Sequence, residues 1–147
     1  MSNLLQIHEP GQTPDPHADA VAVGIDLGTT HSVIACMKEG EPLAIENHDG
    51  QSIIPSIVAE GDERIASIKR LMGITAKEAE KVAPQLTELL TNKGEDALPR
   101  LSWQGKAATP IELSAKILAS LKDMAEERLG KDVNPVSYTH LTLPTKA

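Results

Sequence analysis

From Val21 to Glu60 the hydrophobic residues come in short runs broken by turn residues. "VAVGIDL" (21–27) is nearly continuous, the pattern of a strand buried on both faces. "GTT" then turns the chain, and "HSVIACM" (31–37) is a second β-type run. "KEGE" is a turn containing Gly40, and "PLAIEN" (42–47) reads as a third strand. "HDGQS" (48–52) carries Asp49-Gly50, a strong hairpin signal. "IIPSIVAE" (53–60) reads as a fourth strand that Pro55 pushes toward a sheet edge or a bulge. Residues 21–60 are therefore expected to form a β-meander.

Beyond this point the period changes to that of helices. "RIASIKRLMG" (64–73) fits one or two helical turns ending at Gly73. Thr75 with Glu78 makes a capping box for a helix through "AKEAEKVAPQLTELLTN", bent or split at Pro84. "KGEDALPRLSWQGKAA" (93–108) is loop with a short hairpin around Trp103. The clearest helix is "TPIELSAKILASLKDMAEERLG" (109–130). Thr109 is its N-cap, Pro110 its first helical residue and Glu112 the reciprocal cap. Ile111, Leu118, Leu121, Ala125 and Leu129 are expected on its buried face. Arg128 suits the C-terminal dipole and Gly130 the helix stop. Residues 1–20, with Pro10, Gly11, Pro14 and Pro16 among polar residues, read as an irregular arm, with Leu4, Leu5 and Ile7 available for docking.

Composition narrows the function classes. A chain of 147 residues is long enough for one domain with a core. A net charge of −7 argues against a nucleic-acid partner. Nothing approaches the ~20 apolar residues that span a bilayer, and the N-terminus lacks the basic and apolar regions of a secretory signal. Cys36 alone forms no internal disulfide and fits a reducing compartment, so the expected location is cytoplasmic. On its apolar run it reads as a small core residue. The five histidines are scattered without metal-ligand spacing. Aromatic residues make up only 1% of the chain, with no phenylalanine. That fits either an unusual domain or part of a longer one.

The candidate chemistry lies in "GIDLGTTHS" (24–32). A tight turn aligns backbone N–H groups, Gly28 removes the obstacle of a Cβ, and Thr29 and Thr30 add hydroxyls; such a concavity takes phosphate. Asp26 beside it would repel a bare phosphate, unless Mg²⁺, which favours carboxylate, water and phosphate oxygens, lies between. An ordinary solvated turn with a strand-end acid explains the same residues equally well, so the turn alone leaves both readings open.

Its neighbours carry a resemblance. "VGIDLGTTHSVIACMKEGEPLAIENHDGQSIIPSIVA" resembles the start of the DnaK-type heat-shock chaperones, "SIKRLMG" (67–73) matches a second signature of that family, and residues 111–133 are similar to its next helix. "LLQIHEPGQTPDPH" resembles the N-terminal extension of the branch devoted to iron–sulfur cluster assembly. The resemblance implies an α/β fold: the start of an actin-like, ribonuclease H-like ATPase lobe, a β-meander followed by helices, incomplete. It implies ATP/ADP and Mg²⁺ as cofactors. Asp26 would face Mg²⁺ through water, and Gly28, Thr29 and Thr30 would hold the phosphates, with Thr29 near the γ-phosphate. His31, counted with them among the cofactor-binding residues, stands where the family commonly has asparagine or tyrosine. The implied partners of the full-length protein are a J-domain co-chaperone and an iron–sulfur scaffold protein.

Two departures from the family qualify this. The family has a longer segment before "SIKRLMG", with a "G-x-x-A-K" stretch whose lysine assists phosphoryl transfer. Here "EGDERIA" alone makes the join, and Lys69, part of the later signature, is not expected to replace that lysine. After Val133 the likeness ends, and "NPVSYTHLTLPTKA" (134–147) reads as a non-native tail. The expected organisation is an arm (1–20), a partial nucleotide-binding lobe (21–133) and that tail. The chain by itself is expected to lack ATPase activity. The alternatives are a sugar or polyol kinase of the same superfold, or a non-catalytic remnant.

Overall fold

The computed structural model describes residues 21–134. The arm and tail expected from the sequence, Asn134 apart, lie outside the described residues. Strand β1 (Val21–Leu27) pairs antiparallel with β2 (His31–Lys38), which pairs in turn with β3 (Glu41–Ala44). The β2–β3 turn has positive φ at both Glu39 (52°) and Gly40 (84°). That is the primed geometry whose twist suits a two-residue hairpin.

The meander then departs from expectation. Strand β4 (Ile54–Pro55) pairs with β2, through His31↔Pro55 and Ser32↔Ile54, and not with β3. The expected third strand and the start of the expected fourth are thus two stretches along one edge of β2, and the rest of the fourth, Ile57–Glu60, leaves for a separate two-stranded sheet. Residues 46–53 form an excursion between the two stretches. Asn47 folds that excursion back: its Oδ1 accepts the N–H groups of Asp49 (3.0 Å) and Gln51 (2.9 Å). The turn signal at Asp49-Gly50 is genuine, but the strands flanking it pair elsewhere. Pro55 sits on an edge, where its missing N–H costs no ladder bond.

"EGDERIA", expected to be a plain connection, instead forms a hairpin. Strand β5 (Ile57–Glu60) pairs with β6 (Glu63–Ala66), and Ile65 is buried. A 3₁₀ turn follows at Ile68–Leu71, ended by Gly73 in the left-handed region (φ 75°). Helix α1 (Ala76–Val82) carries the expected capping box in both directions, and Pro84 opens a separate 3₁₀ segment (Pro84–Leu89). Strands β7 (Leu101–Trp103) and β8 (Lys106–Ala108) make the expected hairpin, again with positive φ at both turn residues, Gln104 and Gly105.

Helix α2 (Pro110–Leu129) has the predicted caps: the Thr109–Glu112 box and Gly130 in the left-handed region. It leads into β9 (Val133–Asn134), which lies parallel to β1. The sheet order is β3-β2-β1-β9. The buried face of α2 is rotated from the one expected. Leu113, Ser114, Ile117, Leu121 and Ala125 are buried, whereas Ile111 is 62% exposed. At 100° per residue Ile111 lies about 80° round from Leu121, on the same side as Leu129, and the core lies toward Leu113 on the other side.

Strand β1 is also buried on one face only. Val23, Ile25 and Leu27 enter the core, and Ala22, Gly24 and Asp26 are exposed. Two small residues and an acid offer little apolar area to bury, which explains the choice of face. The core is one cluster of Ile, Leu, Val and Ala from the strands, the 3₁₀ turns and α2. Ile34, Leu101 and Leu113 are fully enclosed, and Trp103 is its single aromatic ring.

Candidate phosphate turn

The expected site residues Asp26, Gly28, Thr29, Thr30 and His31 fall together at the β1–β2 turn. Leu27 and Ser32 are its last ladder pair, and the Gly28 N–H donates to the His31 carbonyl at 3.0 Å. Thr29 and Thr30 form the loop. Neither has a positive φ, so this turn is not one of the primed types that close the two I′-like hairpins elsewhere. The unprimed turn folds the His31 carbonyl over Gly28. A Cβ at position 28 would lie 2.2 Å from that oxygen. Gly28 is therefore demanded by the turn itself, before any ligand is considered.

Three contacts from outside hold the turn. The Ser56 N–H donates to the Thr30 carbonyl at 2.9 Å. The hydroxyls of Ser32 and Ser56, both buried, are 2.6 Å apart. The Lys69 ammonium donates to the Leu27 carbonyl at 2.8 Å across 42 positions of sequence. The sequence reading found none of these. The serines show no periodicity, and Lys69 belongs to a different signature in the sequence. Structurally Lys69 is brought to the turn by the β5–β6 hairpin and by Ser67, a non-glycine residue in the left-handed region (φ 60°). Such a conformation costs about 1–2 kcal/mol, and the buried neighbours Ile68 and Leu71 hold it in place.

On the open side, Asp26 projects from the exposed face of β1 and Thr30 and His31 are exposed. His31 Nδ1 and Thr30 Oγ1 are 3.0 Å apart. Among the described residues the N–H groups of Thr29 and Thr30 meet no protein acceptor. The arrangement offers two N–H groups, two hydroxyls and one carboxylate at a solvent-facing strand end. Among the described residues no group of three or more His, Cys, Asp or Glu side chains could enclose a metal. The carboxylates whose titration is clearly displaced lie elsewhere. Glu78 is held below its usual value by the Thr75 backbone N–H and then the Thr75 hydroxyl. Glu126 is lowered by the Val133 N–H, then by Lys122.

The fold is a mixed α/β one whose sheet opens on this strand–turn–strand unit, and comparison with known proteins gives its family. The model of the Hsp70 protein family matches residues 22–65 and 59–144. The chain belongs to the Hsp70 family. It is 36% identical to the chaperone protein HscA homolog of Acinetobacter baumannii, over 96% of this chain and 25% of that protein. It is also 36% identical to the chaperone protein HscA of Cronobacter sakazakii, over 92% and 25% respectively. The chain thus spans about a quarter of the length of these relatives. The alignment to the first covers 159 residues, more than the chain's own 147. That relative therefore has residues with no counterpart here. The two family matches share residues 59–65, which places the missing stretch at the β5–β6 hairpin. No helix among the described residues is long and apolar enough to cross a membrane.

Proposed function

We infer that the chain is the phosphate-binding corner of an ATP-dependent chaperone of the HscA kind. The observation that carries this is an Hsp70 match running through a turn that has open N–H groups and an exposed strand-end carboxylate. In this reading Thr29 and Thr30 receive the phosphate oxygens, with Thr29 nearest the terminal one, and Gly28 keeps the turn tight enough for both to face outward. His31 orients the Thr30 hydroxyl. Asp26 holds Mg²⁺ through water. A single carboxylate with water and phosphate oxygens is an ordinary donor set for that ion, which rarely needs an all-protein cage. The bound ion neutralises charge on the phosphates.

In the whole protein, ATP binding and hydrolysis would control capture of a client polypeptide. The client is an iron–sulfur scaffold protein delivered by a J-domain co-chaperone, and the setting is the cytoplasm. These assignments rest on likeness to the HscA proteins. The present chain by itself is read as a weak, non-hydrolysing nucleotide binder, since one turn supplies few of the contacts that enclose ATP. Amide NMR of the chain tests this. Millimolar MgATP should shift the Thr29 and Thr30 amide signals, and adenosine should not. Unchanged amides at saturating MgATP, or multiple turnover of ATP, would overturn the reading.

A further inference from the structure

We propose that Lys69 is the cation of the phosphate turn, donating to an oxygen of the bound nucleotide's outer phosphates. This deepens the nucleotide reading above and rests on it. An ATP-binding turn must gather positive charge, because the nucleotide is a polyanion and the chain carries a net charge of −7. The turn itself and the strand residues beside it supply none: the one lysine of β1 and β2, Lys38, stands at the far end of β2, and Asp26 adds a negative charge.

The structure delivers a cation from elsewhere. The Lys69 ammonium lies 2.8 Å from the carbonyl of Leu27, the residue directly before Gly28. An ammonium has three donors on one compact head. It can keep the Leu27 carbonyl and its further contact within the fold and still turn a donor to an oxyanion arriving at the adjacent turn. Its placement is firm. Ile68 and Leu71, on either side of it and Arg70, are each only 1% exposed, and Ser67 accepts a left-handed backbone just before them. The short β5–β6 hairpin is what feeds this segment to the end of β1. Lys69 therefore takes the charge role that the family's "G-x-x-A-K" lysine would otherwise fill, with "EGDERIA" supplying the β6 strand that leads to it rather than a cation that reaches the turn. This role runs against the sequence-based expectation that Lys69 does not replace that lysine, and the test below decides between the two.

The test uses the intact chain and needs no turnover. Lysines are acetylated with a trace of amine-reactive reagent, with and without MgATP or AMP, and quantified by mass spectrometry. Amide NMR on the same samples follows Thr29 and Thr30. Several-fold protection of Lys69 by MgATP, absent with AMP and absent at Lys116, supports the proposal. MgATP shifts at Thr29 and Thr30 without protection of Lys69 overturn it and leave the nucleotide reading standing. Neither shift nor protection overturns both. In the variants, Lys69→Met should weaken MgATP binding about tenfold to a hundredfold, the usual range for one charge-assisted hydrogen bond. It should leave AMP affinity unchanged, and Lys69→Arg should recover part of the loss. Equal weakening toward both nucleotides would mark Lys69 as purely structural and overturn the proposal. Because the footprint is read on the unmodified chain, it decides the matter even if Lys69→Met fails to fold.

Discussion

Gly28 and Gly24 occupy the same strand and turn, yet the structure assigns them opposite responses to alanine. At position 28 a Cβ would sit 2.2 Å from the His31 carbonyl oxygen, about 1 Å inside the closest separation that real Cβ atoms tolerate. The obstacle is backbone, so no side-chain rotation relieves it. To make room, His31 must swing away, and the 3.0 Å Gly28–His31 hydrogen bond breaks. That loss is worth about 0.5–1.5 kcal/mol, and forcing the turn into a strained alternative adds about 1–3 kcal/mol. Gly28→Ala should therefore destabilise by roughly 2–4 kcal/mol. At position 24 a Cβ meets nothing within 4 Å and the backbone needs no positive φ. Gly24→Ala should be neutral or stabilising by about 0.4–1 kcal/mol, through a less flexible unfolded chain. Urea unfolding followed by fluorescence of Trp103, the one tryptophan and 4% exposed, measures both. With m near 1–3 kcal/mol/M, the two midpoints should separate by at least about 0.7 M. If Gly28→Ala unfolds within about 0.5 kcal/mol of the parent, the turn does not have the described geometry and the steric reasoning fails.

Other expectations follow from the same contacts. Ser32→Ala or Ser56→Ala alone leaves one buried hydroxyl unpaired and should cost about 1–3 kcal/mol. The double variant should cost clearly less than the two singles combined, and strict additivity in urea unfolding would show that the 2.6 Å contact contributes nothing. Glu78 titrates below its usual 4.5 because Thr75 hydrogen-bonds its charged form. Its contribution is thus complete above that pH and is lost as pH falls through the lowered folded value. Glu78→Gln, which keeps a capping-box acceptor, should flatten the acid limb of the stability–pH curve, and an unchanged limb would contradict the assignment. Asp26→Asn should abolish the Mg²⁺ dependence of ATP-induced shifts at Thr29 while leaving metal-free ATP binding equal or stronger; retained Mg²⁺ dependence would count against Asp26 as the ion's anchor.

Local chemistry was the part of the fold most legible in the sequence. Both capping boxes, the split at Pro84, the stop at Gly130 and the Trp103 hairpin depend on residues within a few positions of one another, and each is present as read. Pairing over longer distance was less legible. Asp49-Gly50 makes its turn, but which strand Ile54 joins is decided by β2, more than twenty residues earlier. "EGDERIA" reads as a connection because a four-residue strand has too little periodicity to show. The buried face of β1 could not be inferred from its nearly continuous run either, since Ala22 and Gly24 count as apolar in a pattern but contribute little buried area. Of the site, the turn and its acid were visible as a cluster in "GIDLGTTHS". Its supports at Ser56 and Lys69 were not, because single polar residues far along the chain carry no spacing signal.

Two of these misses, the β5–β6 hairpin and the placement of Lys69, share an origin at residues 57–69. The two family matches both claim residues 59–65, so this stretch stands in for what precedes and follows a segment that relatives possess. The chain accommodates the shortening by pairing Ile57–Glu60 directly with Glu63–Ala66 and burying Val58 and Ile65. The join is thereby a packed element with its own core contacts, and its exit through Ser67 fixes where the 3₁₀ turn begins. Moving that exit by one residue would rotate Lys69 by about a third of a turn, since a 3₁₀ helix has three residues per turn, and carry the ammonium away from Leu27. The register of the β5–β6 hairpin therefore sets the charge at the phosphate turn. Lengthening the Gly61–Asp62 loop should leave Lys69 in place, whereas inserting one residue between Ala66 and Ser67 should remove its hydrogen bond to Leu27. If acetylation of Lys69 in the ligand-free chain is equally slow in both insertions, the hairpin does not position it.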